Sequence, residues 1–206
     1  FEMAVKLIHH AAVLDDLTLI SRIDLLFISI GTFKDLDFHI IRSVYGDIVF
    51  IMVSGDGGMD IGMGSALGTA LRGHKLLIFE YDNGGYMNTG YQLSYSTPRG
   101  ARSSTSHVGK AQYGKTFFHK DMPQIMAAAN IPYVATVAES NPIDYIAKAA
   151  KAAEYAKSAG VAYVKALSAC PLNWNDKPST ERSVIASAVD CCYFPLYEVE
   201  QGITKL

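Results

Sequence analysis

The sequence predicts an α/β domain with a doubly wound, mainly parallel sheet and helices on both faces. Two observations predict it: apolar runs of strand length alternate with helical patterns from Asp47 onward, and the first of these runs, IVFIMVS at 48–54, is continuously apolar. Continuous apolar runs are typical of strands buried on both faces. Strand–helix–strand spacing implies crossover connections, which make neighbouring strands parallel.

Two strands and one helix are predicted in the first part of this pattern. The strands are IVFIMVS at 48–54 and KLLIFEY at 75–81, both rich in β-branched or bulky apolar residues. The helix is predicted from about Asp60 to Arg72, because the stretch follows a glycine cluster and is closed by Gly73.

The second part predicts two further strands, at 131–138 and 161–169, around the clearest helix of the chain. Asn141 is in position to cap that helix, Pro142 suits its first turn and Asp144 favours its dipole. Gly160 is predicted to end it.

Two segments lie outside this pattern. Residues 1–45 indicate a helix-rich amino-terminal segment of unclear role, and residues 46–206 are expected to form one domain. Residues 83–116 are rich in Gly, Asn, Ser, Thr and Tyr and have no charge before Arg99. Since so long a loop is uncommon inside a compact domain unless it is functional, a functional role is predicted for it.

Composition excludes several classes of protein. The 206 residues carry 18 basic and 20 acidic side chains, so no basic excess favours nucleic-acid binding. The stretch 122–138 is broken by Pro123 and Pro132, so no membrane span is expected. Three cysteines favour a reducing compartment, the cytoplasm. The chain opens on Phe1 without a signal-peptide pattern and is expected to be processed or partial.

Polar, glycine-rich sequence follows two consecutive predicted strands, at 55–58 and at 82–85. Ligands of open α/β sheets bind at the carboxyl ends of the strands. Mg²⁺ prefers oxygen ligands and takes only a few from protein. The side chains of Asp56 and Asn83, with the main-chain carbonyl of Gly85, are therefore candidate ligands for a magnesium-bound diphosphate, and the nearby helix start would direct free N–H groups at the phosphates.

Two other interpretations compete with this one. A Gly-Asp-Gly triplet is most often a simple turn. A dinucleotide-binding fingerprint is suggested by Gly62, Gly64 and Gly68, with acidic Glu80 and Asp82 further on. Their spacing is G-x-G-x-x-x-G, and it falls inside the predicted helix rather than at its opening turn, which argues against that fingerprint.

The Gly-Asp-Gly at 55 and the asparagine 28 positions later resemble the thiamine-diphosphate signature. The run YDNGGYMNTGYQLSYSTPRGA at 81–101 closely resembles the beta subunit of pyruvate:ferredoxin oxidoreductase and its 2-oxoacid relatives. The likeness extends through 120–137, 168–174 and 194–202, and so covers roughly residues 45 to 206. It implies the thiamine-diphosphate-binding fold.

The resemblance assigns roles to positions of this sequence. It implies that Asp56, Asn83 and the carbonyl of Gly85 bind Mg²⁺. It places the turn that contains Asn88 near the thiazolium ring and the substrate, which makes Asn88 the candidate catalytic residue. The cofactor-binding residues that it implies are Gly55, Asp56, Gly57, Gly58, Asn83, Gly85, Met87, Asn88 and Thr89.

The same resemblance implies oxidative decarboxylation of a 2-oxoacid, with pyruvate favoured, coenzyme A as acyl acceptor and ferredoxin as electron acceptor. The glutamate that activates the cofactor would come from a partner alpha subunit, so a hetero-oligomer with that and further subunits is expected. Gly84-Gly85 stands where the family usually has Glu-Ala, which leaves the substrate open. The alternatives are a non-oxidative thiamine-dependent decarboxylase or synthase and a non-catalytic scaffold subunit.

The expected 4Fe–4S cluster has an incomplete ligand set. Cys170 resembles its last ligand, but residues 1–54 contain no cysteine, so four ligands cannot be completed locally. Cys191 and Cys192 are adjacent on a helix-like segment and are interpreted as apolar packing residues. Either the amino-terminal region has been lost or replaced, or the protein lacks the cluster. Trp174 is interpreted as a core or interface residue.

Overall fold

A computed structural model describes Leu26–Phe27 and residues 48–206. The described residues form one seven-stranded sheet in the order β1-β2-β3-β5-β4-β6-β7. The first five strands pair in parallel, and β6 and β7 add an antiparallel edge. The strands are β1 Leu26–Phe27, β2 Phe50–Gly55, β3 Leu77–Asp82, β4 Tyr133–Ala138, β5 Ala162–Leu167, β6 Glu198–Glu200 and β7 Ile203–Lys205.

Helices cover both faces of the sheet, as a doubly wound fold requires. They are α1 Asp56–Leu71, α2 Met122–Ala128, α3 Pro142–Ser158, α4 Pro171–Trp174 and α5 Glu181–Asp190. Residues of α1 and α2 pack on one face with Ile78, Val134 and Tyr163. Alanines of α3 pack on the other face with Phe79 and Val164. The predicted fold class is therefore confirmed.

The first long helix begins at Asp56, four residues before its predicted start. The predicted helix starts after the glycine cluster, whereas Gly57 and Gly58 lie inside the observed helix although glycine is a poor helix former. A tertiary contact overrides that preference. A Cβ on Gly57 would stand only 2.9 Å from the Tyr86 ring, so the absence of a side chain lets the first turn pack against that ring. Asp56 is consequently the first residue of the helix, and Asp60 lies one turn inside it.

The predicted ends of the two long helices are confirmed in the backbone. Gly73 follows α1 with φ +66°, and Gly160 follows α3 with φ +145°, conformations that glycine adopts at little cost. Asn141 occupies the N-cap position of α3, but its side chain makes no capping hydrogen bond and the predicted side-chain cap is wrong. Instead, Asn141 Oδ1 accepts a hydrogen bond from Ser140 Oγ at 2.7 Å.

The segment between β3 and α2 contains neither a helix nor a strand, only short turns and isolated bridges. It is nevertheless tightly held. The buried ammonium group of Lys115 donates to the carbonyls of Ser94, Tyr95 and Thr97 at 3.1, 2.8 and 2.6 Å. Lys115 Nζ also lies 4.6 Å from the centroid of the Phe117 ring. This lysine therefore fixes the middle of the predicted functional loop.

The predicted helix-rich segment at 1–45 lies outside the described residues except at Leu26–Phe27. Those two residues form β1, paired in parallel with β2, so the helical pattern predicted around them is wrong there. The pairing β6–β7 was not predicted. Within residues 48–206 and β1, no helix has the length and apolar character needed to cross a membrane.

Candidate cofactor and metal site

The carboxyl ends of β2 and β3 meet at one edge of the sheet. Gly55, the last residue of β2, is in register with Tyr81 of β3, and neighbouring strands lie about 4.8 Å apart. The residues that come next therefore leave the sheet side by side: Asp56 from one strand, and Asp82 with Asn83 from the other. The structure thus brings the two predicted ligand segments to the same edge.

Asp56 is a buried carboxylate with an unsatisfied oxygen. The residue is 4% exposed, and among the described residues its Oδ2 has no hydrogen-bond partner. Burial and the negative charge of Asp82 raise the pKa of Asp56 to about 7, against a hydrogen bond from Ser94 that lowers it. A buried carboxylate without a partner is costly. A cation bound at Oδ2 would remove that cost.

The amino terminus of α1 faces the same edge. The N-cap residue Gly55 has no side chain to cap the helix, and no side-chain capping bond is made. The first turn of an α-helix leaves N–H groups without partners inside the helix, and the helix dipole favours negative charge there. Backbone donors of residues 57 and 58 are thus suited to phosphate oxygens beside a metal at Asp56.

The Asn83–Gly85 turn is held from both sides. The carbonyl of Asn83 accepts hydrogen bonds from Asn173 Nδ2 at 2.8 Å and Trp174 Nε1 at 2.9 Å. The amide of Gly85 donates to Asn83 Oδ1 at 3.3 Å, a long bond that leaves this oxygen capacity for a metal. The Gly84 carbonyl accepts from Thr97 Oγ1 at 2.7 Å.

Two glycines of this turn fit closely into their surroundings. Gly84 has φ +80°, a conformation that is strained for most other residues. A Cβ on Gly85 would stand 2.5 Å from the Met87 Cε and 3.0 Å from the Gln92 carbonyl oxygen. Neighbouring atoms occupy the space where a side chain of Gly85 would stand. The backbone of this Gly-Gly pair is therefore not shielded by side chains of its own.

Asn88 lies at the tip of a closed loop. Tyr86 and Gln92 exchange two backbone hydrogen bonds, of 3.0 and 3.1 Å, at the base of the loop. The Gly90 amide donates to the Met87 carbonyl at 3.1 Å, which closes a four-residue turn with Asn88 in its middle. Thr89 and Asn88 are exposed on this turn, with the Thr89 hydroxyl bonded to Gln92. The predicted catalytic residue is thus presented outward on a constrained turn.

A buried ionic network underlies the edge. Lys120 Nζ lies 2.5 Å from Asp60 Oδ1 and 3.0 Å from Glu80 Oε1, and all three side chains are at most 5% exposed. The same ammonium donates to the carbonyl of Asp56 at 3.1 Å. Glu80 also accepts a hydrogen bond from the Tyr163 hydroxyl. The network therefore reaches the backbone of the metal-ligand candidate.

A second buried ion pair stands on β3 and β5. Lys165 Nζ lies 2.7 Å from Asp82 Oδ2, and the Gly84 amide donates to Asp82 Oδ1 at 2.8 Å. Burial alone would raise the pKa of Asp82, but Lys165 lowers it below its usual range. Burial raises the pKa of Glu80, opposed by Lys165. Within the described residues Asp82 and Glu80 both have a lysine partner, whereas Asp56 has no ion pair.

Sequence reasoning missed most of this network. Glu80 and Asp82 were considered only as part of the rejected dinucleotide fingerprint. One signal was available: Glu80 and Lys165 interrupt two apolar strand runs, and the structure places them directly opposite each other. Trp174, interpreted as core or interface, packs against the apolar cluster that contains Leu167 and Ile185, and its indole also donates to the Asn83 carbonyl. Its partners depend on the fold, so no sequence pattern could have revealed this contact.

The structure does not assemble an iron–sulfur site from the described residues. Cys170 is partly buried at the start of α4, and Cys191 and Cys192 are exposed free thiols rather than the buried packing residues that were predicted. No group of three or more His, Cys, Asp or Glu within the described ranges could hold a metal. Cys170 accordingly stays a candidate cluster ligand, and the described part of the chain offers no further ligands beside it.

The raised pKa of Asp56 predicts a pH dependence of stability. A carboxyl whose pKa is higher in the folded than in the unfolded chain binds extra protons when folded between about pH 4 and pH 7, so stability falls as pH rises through that window. With metal chelated, we expect Asp56→Asn to reduce the loss of unfolding free energy between pH 5 and pH 8 by about 2–4 kcal/mol. Urea unfolding as a function of pH measures it.

Glu139 provides the control for that measurement. Burial and the nearby charge of Glu181 raise its pKa to about 7 as well, so Glu139→Gln should remove a separate share of the same pH dependence. A profile for Asp56→Asn that runs parallel to that of the unchanged protein would contradict the burial and charge environment assigned to Asp56.

Comparison with known proteins shows the family of the chain. Residues 43–166 match the family "Thiamine pyrophosphate enzyme, C-terminal TPP binding domain". The chain is 43% identical over 160 residues to pyruvate synthase subunit PorB of Thermotoga maritima, which covers 76% of this chain and 48% of the relative. It is 36% identical over 160 residues to ketoisovalerate oxidoreductase subunit VorB of Pyrococcus abyssi, covering 77% and 50%.

A solved structure shows the same fold. The 2-oxoglutarate:ferredoxin oxidoreductase from Magnetococcus marinus, with 2-oxoglutarate, coenzyme A and succinyl-CoA bound, superposes with a TM-score of 0.53 at 24% identity, over 67% of this chain and 44% of that chain. The chain spans about half the length of the curated relatives it matches. The resemblance stated from the sequence is confirmed, and the chain belongs to the thiamine pyrophosphate enzymes through their C-terminal cofactor-binding domain.

Proposed function

We propose that this chain is the thiamine-diphosphate-binding part of the beta subunit of a 2-oxoacid:ferredoxin oxidoreductase. The observation that carries the proposal is the buried Oδ2 of Asp56, which has no hydrogen-bond partner in the described structure and belongs to the first residue of α1, beside the Asn83–Gly85 turn. The higher identity to a pyruvate synthase subunit, 43% against 36% for the ketoisovalerate enzyme, favours pyruvate as the substrate.

The residues present fit a magnesium-bound diphosphate. Asp56 and Asn83 offer side-chain oxygens and Gly85 a carbonyl, which leaves the remaining positions of a six-coordinate Mg²⁺ to phosphate and water. The backbone of Gly55, Gly57 and Gly58 would line the diphosphate at the start of α1. An unsatisfied buried oxygen, a helix amino terminus and hard oxygen donors are the chemistry that this ion and its phosphates require.

When bound, thiamine diphosphate supplies the carbon nucleophile that attacks the carbonyl of a 2-oxoacid. The chain's own contribution is to hold and orient that cofactor. Met87, Asn88 and Thr89 occupy the outward turn, where Asn88 would donate its amide hydrogens to the substrate carboxylate or carbonyl. The two backbone bonds at the loop base limit the movement of this turn.

Activity requires a partner. The described residues include the proposed metal ligands. The carboxylate that activates the cofactor is proposed to come from an alpha subunit. Ile61, about one turn along α1 from Asp56, is 90% exposed, which fits a surface that another chain covers.

We further propose ferredoxin as the electron acceptor, coenzyme A as the acyl acceptor and a 4Fe–4S cluster with Cys170 as one ligand. We also propose a cytoplasmic location, which the three free cysteines support.

Cofactor binding provides the first test. In the full-length protein, stripped of metal and assembled with its partner subunits, we expect tight binding of thiamine diphosphate only when Mg²⁺ is present. Asp56→Ala removes the buried ligand and should raise Kd at least 100-fold, while Asn83→Ala should raise it about tenfold. Isothermal titration calorimetry measures both.

Asn141→Ala is the matched control, because this exposed asparagine at the start of α3 makes no capping bond and follows β4, which β5 separates from β3. Its Kd should stay within twofold of the unchanged protein. Binding by Asp56→Ala that equals that of the unchanged protein would overturn the ligand assignment.

The reaction class is tested by pyruvate-dependent reduction of a viologen dye in the presence of coenzyme A. We expect reduction by the assembled complex and a loss of at least tenfold in kcat/KM for Asn88→Ala, since this residue is proposed to contact the substrate. Carbon dioxide release without dye reduction would favour a non-oxidative decarboxylase or synthase. Cofactor binding with no turnover of any 2-oxoacid would favour the scaffold alternative.

A further inference from the structure

Asp60 stands where three parts of the site meet, although neither the sequence motif nor the proposed ligand set includes it. Its side chain is 2% exposed. Its Oδ2 accepts hydrogen bonds from the Tyr86 hydroxyl at 2.7 Å and from the Tyr95 amide at 2.9 Å, and its Oδ1 pairs with Lys120 at 2.5 Å. Both carboxylate oxygens are therefore fully engaged by charged or polar donors.

Tyr86 connects Asp60 to the loop that contains Asn88. Tyr86 forms the base of that loop through its two backbone bonds with Gln92, and its ring packs against Gly57. Because the Tyr86 hydroxyl is tied to Asp60, the loop base is fixed to the second turn of α1. This hydroxyl–carboxylate bond is therefore one of the contacts that set the position of Asn88 relative to α1.

Lys120 connects Asp60 to Asp56, the proposed metal ligand. Lys120, held by Asp60 and Glu80, donates to the carbonyl of Asp56 at 3.1 Å. The Lys120 amide also donates to the Tyr95 carbonyl at 2.9 Å, while the Tyr95 amide donates to Asp60. The segment before α2 and the loop after β3 are thus attached to the same turn of α1.

Asp56 and Asp60 lie one helical turn apart on the same face of α1, yet their surroundings are opposite. Asp60 has three donors, whereas Asp56 keeps one oxygen without a partner in the described structure. Removing the charge of Asp60 would leave Glu80 as the one carboxylate paired with Lys120 in the described structure and would weaken the hydrogen bonds from Tyr86 and Tyr95. Charge-assisted hydrogen bonds of this kind are among the stronger ones in proteins.

We propose that Asp60 is the positioning residue that sets the separation between the diphosphate end and the thiazolium end of the cofactor site, acting through Lys120 on Asp56 and through Tyr86 on the Asn88 loop. This inference rests on the proposed function. It predicts that the two connections can be separated by mutation. Loss of the Tyr86 hydroxyl disturbs only the Asn88 loop, whereas loss of the Asp60 charge disturbs both the diphosphate end and the thiazolium end of the cofactor site.

Two probes separate these effects in the metal-free, full-length complex titrated with excess Mg²⁺. Inorganic pyrophosphate reports the diphosphate end alone, and thiamine diphosphate reports both ends. We expect Asp60→Asn to raise Kd about tenfold for both probes. Tyr86→Phe should raise Kd for thiamine diphosphate about fivefold and change Kd for pyrophosphate by less than twofold. Amide hydrogen exchange in residues 86–97 of the cofactor-free protein should quicken in both variants.

Asp144→Asn is the matched control, because Asp144 pairs with the largely buried Lys148 at 2.9 Å on α3. It should lower stability and leave both Kd values within twofold. Equal losses for the two probes in Tyr86→Phe, or unchanged Kd values in Asp60→Asn, would overturn the inference. If Asp60→Asn does not fold, the probe comparison in Tyr86→Phe still decides. Absence of thiamine diphosphate binding in the unchanged protein would refute the proposed function instead.

Discussion

The parallel pairing of β2 with β3 is the constraint on which the rest of the site depends. Their register puts Gly55 opposite Tyr81, so the chain leaves both strands at the same level and on the same edge. From there one strand turns at once into α1 and the other into a glycine turn. The carboxylate of Asp56, the amide of Asn83 and the backbone of the helix start are thereby placed together without any long-range loop having to close over them.

Burial then gives the acidic residues of this edge different roles. Asp82 is neutralised by Lys165, and Asp60 and Glu80 share Lys120, so these groups stabilise the fold around the site. A charge buried with a partner is tolerated, while one without a partner is costly. Among the described acidic residues of this edge, Asp56 has neither a lysine partner nor a hydrogen bond at Oδ2, and a divalent cation bound there would relieve the cost of its burial.

Much of the fold could be predicted from the sequence because burial on both faces leaves a direct pattern of apolar runs. Gly73 and Gly160 marked helix ends correctly because both have a positive φ, which selects glycine locally. The start of α1 could not be placed, since the packing of Gly57 against Tyr86 joins residues 29 positions apart along the chain. The side-chain cap predicted for Asn141 failed for a local reason: its oxygen accepts a hydrogen bond from the neighbouring Ser140.

The candidate ligands were predictable because short motifs and their spacing are properties of the sequence itself. The residues that hold them in place were not. Lys115, Lys120 and Trp174 act on carbonyl groups of distant segments, and main-chain carbonyls have no sequence signature. Sequence reasoning therefore finds candidate ligand residues more readily than the residues that hold them in place.

The most direct test of the central claim is the position of the metal itself. Mn²⁺ substituted for Mg²⁺ in crystals of the full-length complex with thiamine diphosphate gives an anomalous signal that locates the ion. The account predicts a single peak about 2.1–2.3 Å from an Asp56 carboxylate oxygen and from Asn83 Oδ1, with the diphosphate at the start of α1. A bound diphosphate whose metal lies out of reach of both side chains would contradict it.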